Sequence, residues 1–150
     1  MELIIKKIKT ELKSLRREHN LRLKHTNNKY QETLEYTDYY GLNFKKHNLV
    51  CKFILQKQEE SLSLTYNYTC TKRNCDIVKK FSFMSNDVEE FPCFSETDVK
   101  EIRDLYDFET IDNTIKNRVP LETQADVILK VLKNNYKQLT DYVKKQDNNS

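Results

Sequence analysis

Glycine is nearly missing from this 150-residue chain: Gly41 stands alone, beside two prolines and no tryptophan. Phosphate-cradling loops, dinucleotide-binding turns and nucleophile elbows each need several glycines, where the backbone approaches a ligand closely or takes a positive φ. One glycine therefore excludes the P-loop, Rossmann, kinase and α/β-hydrolase motifs by count. Long apolar runs are missing too. Charges break the opening Met-Glu-Leu-Ile-Ile-Lys-Lys-Ile-Lys, which does not read as a signal peptide, and no stretch approaches the roughly 18 apolar residues of a membrane span. An intracellular, reducing compartment and no membrane partner are expected. Hydrophobic residues make up 37% and charged ones 33%, against typical values of about 45–50% and about 25%. Part of the chain should then be an extended, solvated element. Lys+Arg 26 against Asp+Glu 23 leaves only +3, so overall charge names no partner.

The four cysteines, Cys51, Cys70, Cys75 and Cys93, should be free thiols in a reducing compartment. Cys70 and Cys75 are spaced long for a zinc pair, and Cys93 has no nearby Cys or His. They read as small buried hydrophobes, with no metal and no cofactor expected. The sequon Asn67-Tyr68-Thr69 reads as chance in such a chain. His19, His25 and His47 are scattered, and the adjacent carboxylates Glu59-Glu60 and Glu89-Glu90 point apart on an extended backbone. No catalytic set emerges, and a non-enzymatic protein is expected.

Residues 1–36 contain no Gly or Pro and are dense in Leu, Lys, Arg and Glu, all strong helix formers. Met1, Ile5, Ile8, Leu12 and Leu15 fall at 4-3 spacing on one seam, and a weaker stripe continues through His19, Leu23, Thr26, Tyr30 and Leu34. The spacing predicts one coiled-coil helix, a stalk over 1–38. Ile5, Ile8, Leu12, Leu15 and Leu23 form its oligomerisation seam, because an isolated helix of this kind gains little in water without a partner. Through residue 31 the same segment is basic: Lys6, Lys7, Lys9, Lys13, Arg16, Arg17, Arg22, Lys24 and Lys29 face only Glu2, Glu11 and Glu18, a local balance of +6. Lys6, Lys7, Lys9, Lys13, Arg16 and Arg17 are the candidate patch for nucleic acid or an acidic partner. The competing reading is the solvated outer face of a coiled coil.

Gly41 is suited to stop the helix, and a globular domain is expected over 39–146, with 147–150 a frayed polar tail. Here the period becomes two. Leu49, Cys51, Phe53 and Leu55 share one strand face; Leu62, Leu64, Tyr66, Tyr68 and Cys70 share another, with Ser61, Ser63, Thr65, Asn67 and Thr69 opposite. Such alternation marks half-buried antiparallel strands. A third strand is expected near 77–84 and a short one at 42–46, giving a meander of three or four. Tyr66, Tyr68, Phe81 and Phe83 could stack bases if exposed, but alternating positions favour core. Ser95 or Thr97 caps a helix carrying Val99, Ile102, Leu105 and Tyr106, continuing through Ile111 and Ile115. Pro120 then starts a last helix whose stripe is Leu121, Ala125, Ile128, Leu132, Tyr136, Leu139 and Val143.

The fold class expected is α+β, a coiled-coil helix followed by an antiparallel meander covered by C-terminal helices. The junction Leu34-Glu-Tyr-Thr-Asp-Tyr-Tyr-Gly-Leu-Asn-Phe44 resembles the point where coil gives way to a Gly-Leu first strand in the coiled-coil-plus-RWD heads of kinetochore proteins. Those heads are related to ubiquitin-conjugating enzymes but lack the catalytic cysteine. The strands carrying Phe53, Tyr66–Tyr68 and Phe81–Phe83 come in the same order. Pro120-Leu121 opening a long last helix is similar to the monopolin globular subunit, while the small outer-kinetochore heads end in a shorter one. The stalk is shorter than in either family, and no Tyr-Pro-x-x-x-Pro turn is present. The resemblance implies a nuclear, kinetochore-bound adaptor for chromosome segregation, a homo- or hetero-dimer through its coil that binds protein partners through its head. No peptide-binding residue carries over. The alternative from the residues themselves is a nucleic-acid-binding module using the basic N-terminal helix.

Overall fold

The computed structural model describes residues 2–38, 49–71, 78–82, 94–103 and 119–149. Two successive helices open the chain, α1 (Glu2–Glu11) and α2 (Lys13–Glu18). Hydrogen bonding runs through the join at Leu12, from Leu12 N–H to Ile8 O (3.0 Å) and from Arg16 N–H to Leu12 O (2.9 Å). The helical path then stops short of its expected length. Asn20 takes φ 52°, a left-handed conformation that asparagine tolerates better than most residues.

A hairpin replaces the second half of the single helix expected over 1–36. Residues Arg22–Asn27 form strand β1 and Glu32–Asp38 form β2, an antiparallel pair with Leu23 opposite Tyr36 and His25 opposite Leu34. Asn28 makes the turn, its Oδ1 accepting from the N–H groups of Tyr30 (2.9 Å) and Gln31 (3.0 Å), an Asx turn. The boundary expected between 38 and 39 does not separate a stalk from a head. β2 pairs with β3 (Leu49–Gln58) along its whole length, from Glu32 opposite Lys57 to Asp38 opposite Cys51.

β3 pairs with β4 (Ser61–Cys70), which pairs with the short β5 (Val78–Ser82), so the sheet is a five-stranded antiparallel meander in chain order. The period-two reading of β3 and β4 holds residue by residue: Leu49, Cys51, Phe53, Leu55, Leu62, Leu64, Tyr66, Tyr68 and Cys70 are all buried. The third strand expected near 77–84 is β5, with Phe81 fully buried. Gly41, the expected strand at 42–46, Phe83 and the helical stretch through Ile111 and Ile115 lie outside the described residues.

The helices α3 (Glu96–Arg103) and α4 (Leu121–Asn149) complete the chain. Ser95 caps α3, its Oγ accepting from Asp98 N–H at 3.2 Å. In α4 the expected stripe is the buried one. Ala125, Ile128, Leu132, Tyr136, Leu139 and Val143 are all inside, with Leu121 half-buried at the first turn. Helix continues through the residues expected to fray, as far as Asn149. Side chains of α1, α2, α3, α4 and one face of the sheet share a single core, so the architecture is one helical layer on one sheet. Gln124 fastens the layers where α4 begins. Its Oε1 accepts from Leu62 N–H (3.0 Å), and its Nε2 donates to Glu60 O (2.9 Å) and Val119 O (2.8 Å).

Candidate functional site

The expected oligomerisation seam is spent inside the chain. Ile5, Ile8, Leu12 and Leu15 are 4%, 0%, 0% and 9% exposed and belong to the common core. Leu23, expected to continue that seam, lies on β1, half-buried against the core. The partner that the amphipathic helix required is α4 of the same chain. Lys7 pairs with Asp126 (2.5 Å) and Glu122 (3.5 Å), and Glu11 with Lys133 (2.6 Å). The pairs climb both helices in the same sense. The hydrogen bond to Asp126 raises the Lys7 pKa, and the hydrogen bond to Lys133 lowers that of Glu11.

These contacts divide the candidate basic patch. Lys7 is turned toward α4 by its acidic partners. Lys9 is half-buried, with Nζ 2.8 Å from His25 Nδ1, and His25 Nε2 lies 2.7 Å from Glu32 Oε2. An ammonium can only donate, so His25 accepts at Nδ1 and donates from Nε2. Lys6, Lys13, Arg16 and Arg17 remain on the outer side of α1 and α2, all exposed. Arg16 directs Nε to Leu21 O (3.2 Å), which fixes the guanidinium over the end of α2. With 3.6 residues per turn, positions 6, 13 and 17 fall on the side opposite the buried positions 5, 8, 12 and 15, and position 16 lies at the edge between the two. Glu11, the acidic residue within this span, faces Lys133 instead.

The aromatic residues that could have stacked bases face inward. Tyr66, Tyr68 and Phe81 are buried, with Phe81 packed near Tyr66, Tyr68 and Tyr142 at centroid distances of 6.5, 6.3 and 6.1 Å. A second series runs from His19 to Tyr136 (4.5 Å), to Phe53 (5.8 Å) and to Tyr36 (4.8 Å), joining the end of α2 through α4 to the sheet. Sequence reasoning missed this His19 contact, because it placed His19 in the stripe of a coiled-coil stalk facing another helix. The opposite sheet face is polar. One cross-strand row reads Arg22, Thr37, Lys52, Asn67, Lys80, with Lys52 bonded to Glu35 at 2.9 Å. Asn67 of the sequon sits mid-strand in that row with its Oδ1 buried.

The cysteines divide as well. Cys51 is a free, buried thiol; burial pushes its pKa up to about 12, opposed by the hydrogen bond with Tyr66 and reinforced to a lesser extent by the charge of Asp38. A thiol held that far above neutrality supplies no thiolate for nucleophilic attack or metal binding. Cys70 is disulfide-bonded, which corrects the expectation of free thiols at that position. Among the described residues no cluster of His, Cys, Asp or Glu is arranged to hold a metal ion. The adjacent pair Glu59-Glu60 is exposed at the β3–β4 turn; His47, Cys75, Glu89-Glu90 and Cys93 lie outside the described residues. No helix described is long and apolar enough to cross a membrane.

Two grooves remain. One, about 320 Å³, lies between α1 and α4 and is lined by Glu11, Asp126, Leu129, Lys130, Lys133 and Asn134; Glu11, Asp126 and Lys133 belong to the interhelical pairs above, and Lys130 pairs with Glu101 of α3 at 3.1 Å. The other, about 260 Å³, lies between the β1–β2 and β3–β4 turns, beside Lys57, which is 3% exposed and donates to Glu59 O at 3.0 Å. Compared with known proteins, the chain matches no family model, no curated protein and no solved structure.

Proposed function

We propose that the chain is a non-enzymatic adaptor built on an RWD-like head, working at the kinetochore in chromosome segregation as the sequence resemblance implies. The observation that carries this reading is the layer order: a helix, an antiparallel meander in chain order, then helices, all packed on one sheet face. In this reading α1 is the first helix of the head rather than the end of a stalk. The inert, buried Cys51 fits a head without thiol chemistry. With the Ile5–Leu15 seam enclosed, partners are engaged by the outer surfaces of the head and not by a coil.

A fluorescently tagged chain tracked through division tests the setting. Foci on kinetochores in mitotic cells are expected; a uniform distribution at every stage overturns the proposal. The disulfide at Cys70 pulls against a nuclear location, since disulfides persist in oxidising compartments and are rare in the nucleus. Alkylation of the native-source chain in denaturant without reductant, read by intact mass, decides the matter. Four modified thiols agree with the nucleus, and two modified thiols overturn that placement.

A further inference from the structure

We infer that the exposed basic side of α1 and α2 binds the phosphate backbone of double-stranded nucleic acid without reading its bases. Lys6, Lys13 and Arg17 are exposed along one side of the helical path, with Arg16 exposed at its edge. From Lys6 to Arg17 is a run of 12 residues, roughly 16 Å at 1.5 Å rise per residue, against a duplex that carries a negative charge about every 1.7 Å of axis. The segregation of charge is what distinguishes this surface from an ordinary solvated helix. Glu11, the acidic residue between Lys6 and Arg17, is drawn to Lys133 of α4.

Two observations select the partner. Single-strand binding needs aromatic platforms, yet Tyr36, Phe53, Tyr66, Tyr68 and Phe81 are all buried, and the large exposed aromatic among the described residues, Tyr30, stands at the β1–β2 turn. A membrane surface needs an apolar helix face to insert, and that face of α1 is enclosed in the core. Both leave a rigid array of cations at fixed spacing, which suits the regular phosphates of a duplex. An acidic peptide is the remaining competitor, and the test includes it.

Four phosphate contacts predict a plot of log K against log salt with a slope of about −3.6, so that affinity falls about 150-fold between 50 and 200 mM salt. The measurement is fluorescence anisotropy with the full chain and two labelled 20-base-pair duplexes of unrelated sequence. Equal affinity for both duplexes and that slope are expected. A triple variant, Lys6→Gln, Lys13→Gln and Arg17→Gln, should reduce the slope to about −0.9 while leaving the circular dichroism melt unchanged, since all three side chains are exposed. An unchanged slope in the folded variant overturns the inference. So does tighter binding to an oligo-dT strand than to the duplexes, competition by polyglutamate as effective as that by duplex, or no duplex binding at 50 mM salt. None of these outcomes depends on where the chain works in the cell, so the adaptor proposal stands or falls separately.

Discussion

Replacing Gln124 by alanine removes a side chain that hydrogen-bonds the start of α4 to the β3–β4 hairpin. Gln124 is 4% exposed and uses both ends of its amide: Oε1 takes the Leu62 N–H, and Nε2 satisfies the carbonyls of Glu60 and Val119. The two carbonyls lie where water can reach part of their surface, so their loss is partly repaired. The Leu62 N–H is buried, and leaving a buried donor unsatisfied costs about 1–3 kcal/mol. With a smaller loss from the carbonyls, Gln124→Ala should destabilise the chain by about 2–3 kcal/mol, a drop in melting temperature of about 5–10 °C at this size. Urea unfolding monitored by circular dichroism measures it. Thr123→Ala, one residue away and exposed, is the control and should stay within about 0.5 kcal/mol. Gln124→Glu sharpens the test. Its carboxylate keeps an acceptor for Leu62 but faces two carbonyls, so the carboxyl pKa in the fold must rise above the ordinary value of about 4.3. The penalty of that variant is then full above the raised folded pKa and disappears as pH falls below about 4.3. A Gln124→Ala variant within about 0.5 kcal/mol of the parent, or a Gln124→Glu variant with no gain in acid, refutes the staple.

Ile8→Ala or Leu12→Ala should each cost about 2–5 kcal/mol in a unimolecular unfolding transition, because both residues are fully buried within the chain; a transition midpoint that moves with protein concentration would return the seam to an intermolecular role. Cys51 should resist iodoacetamide in the folded chain at pH 8 and react on unfolding, as read by mass spectrometry. Its pKa, raised by burial to about 12, and that of Tyr36, likewise raised by burial to about 12, mean that the unfolded chain gives up protons the folded chain retains. Stability should therefore fall as pH rises from about 9 toward 12, and a flat alkaline profile in denaturant titrations contradicts the burial. Asn135→Leu should loosen α3 from α4 by about 1–3 kcal/mol, since its buried Nδ2 donates to Asp98 Oδ2 at 2.7 Å and Val131 O at 2.8 Å; hydrogen exchange over α3 reports it.

Where the sequence was legible, one periodicity prevailed. From Leu62 to Cys70 every second residue is apolar and the intervening ones are Ser, Thr or Asn, a pattern with no helical rival, and β4 obeys it. The α4 stripe is equally unambiguous over more than five turns. Residues 22–38 carry two patterns at once. Leu23, Thr26, Tyr30 and Leu34 fit a helical spacing, whereas Leu34, Tyr36 and Asp38 fit a strand, and the strand is what packs, with all three buried. Helix propensity favoured the first reading through the Lys, Arg and Glu content, but propensity is a weak prior beside tertiary pairing, and β2 gains a full-length partner in β3.

The decisive signals in that segment were small polar residues, and the scarcity of glycine is why they were easy to pass over. A chain with one glycine still has to turn. Here Asn20 takes the left-handed conformation that ends α2, Asn28 closes the β1–β2 turn with its side chain, and Glu59 takes φ 54° in the two-residue turn between β3 and β4. Asn20 and Glu59 occupy the left-handed conformation that glycine adopts without steric cost. Reading the asparagines as stops divides the supposed stalk into a short helix and a hairpin. A short helix cannot stand alone in water, so its apolar side must fold back onto the chain. That enclosure removes the coiled coil, leaves α4 as the partner of α1, and turns the basic residues of α1 and α2 outward on a rigid body. The scarcity that excluded glycine-rich catalytic loops thus also directs attention to the asparagines, and through them to the surface on which binding is inferred.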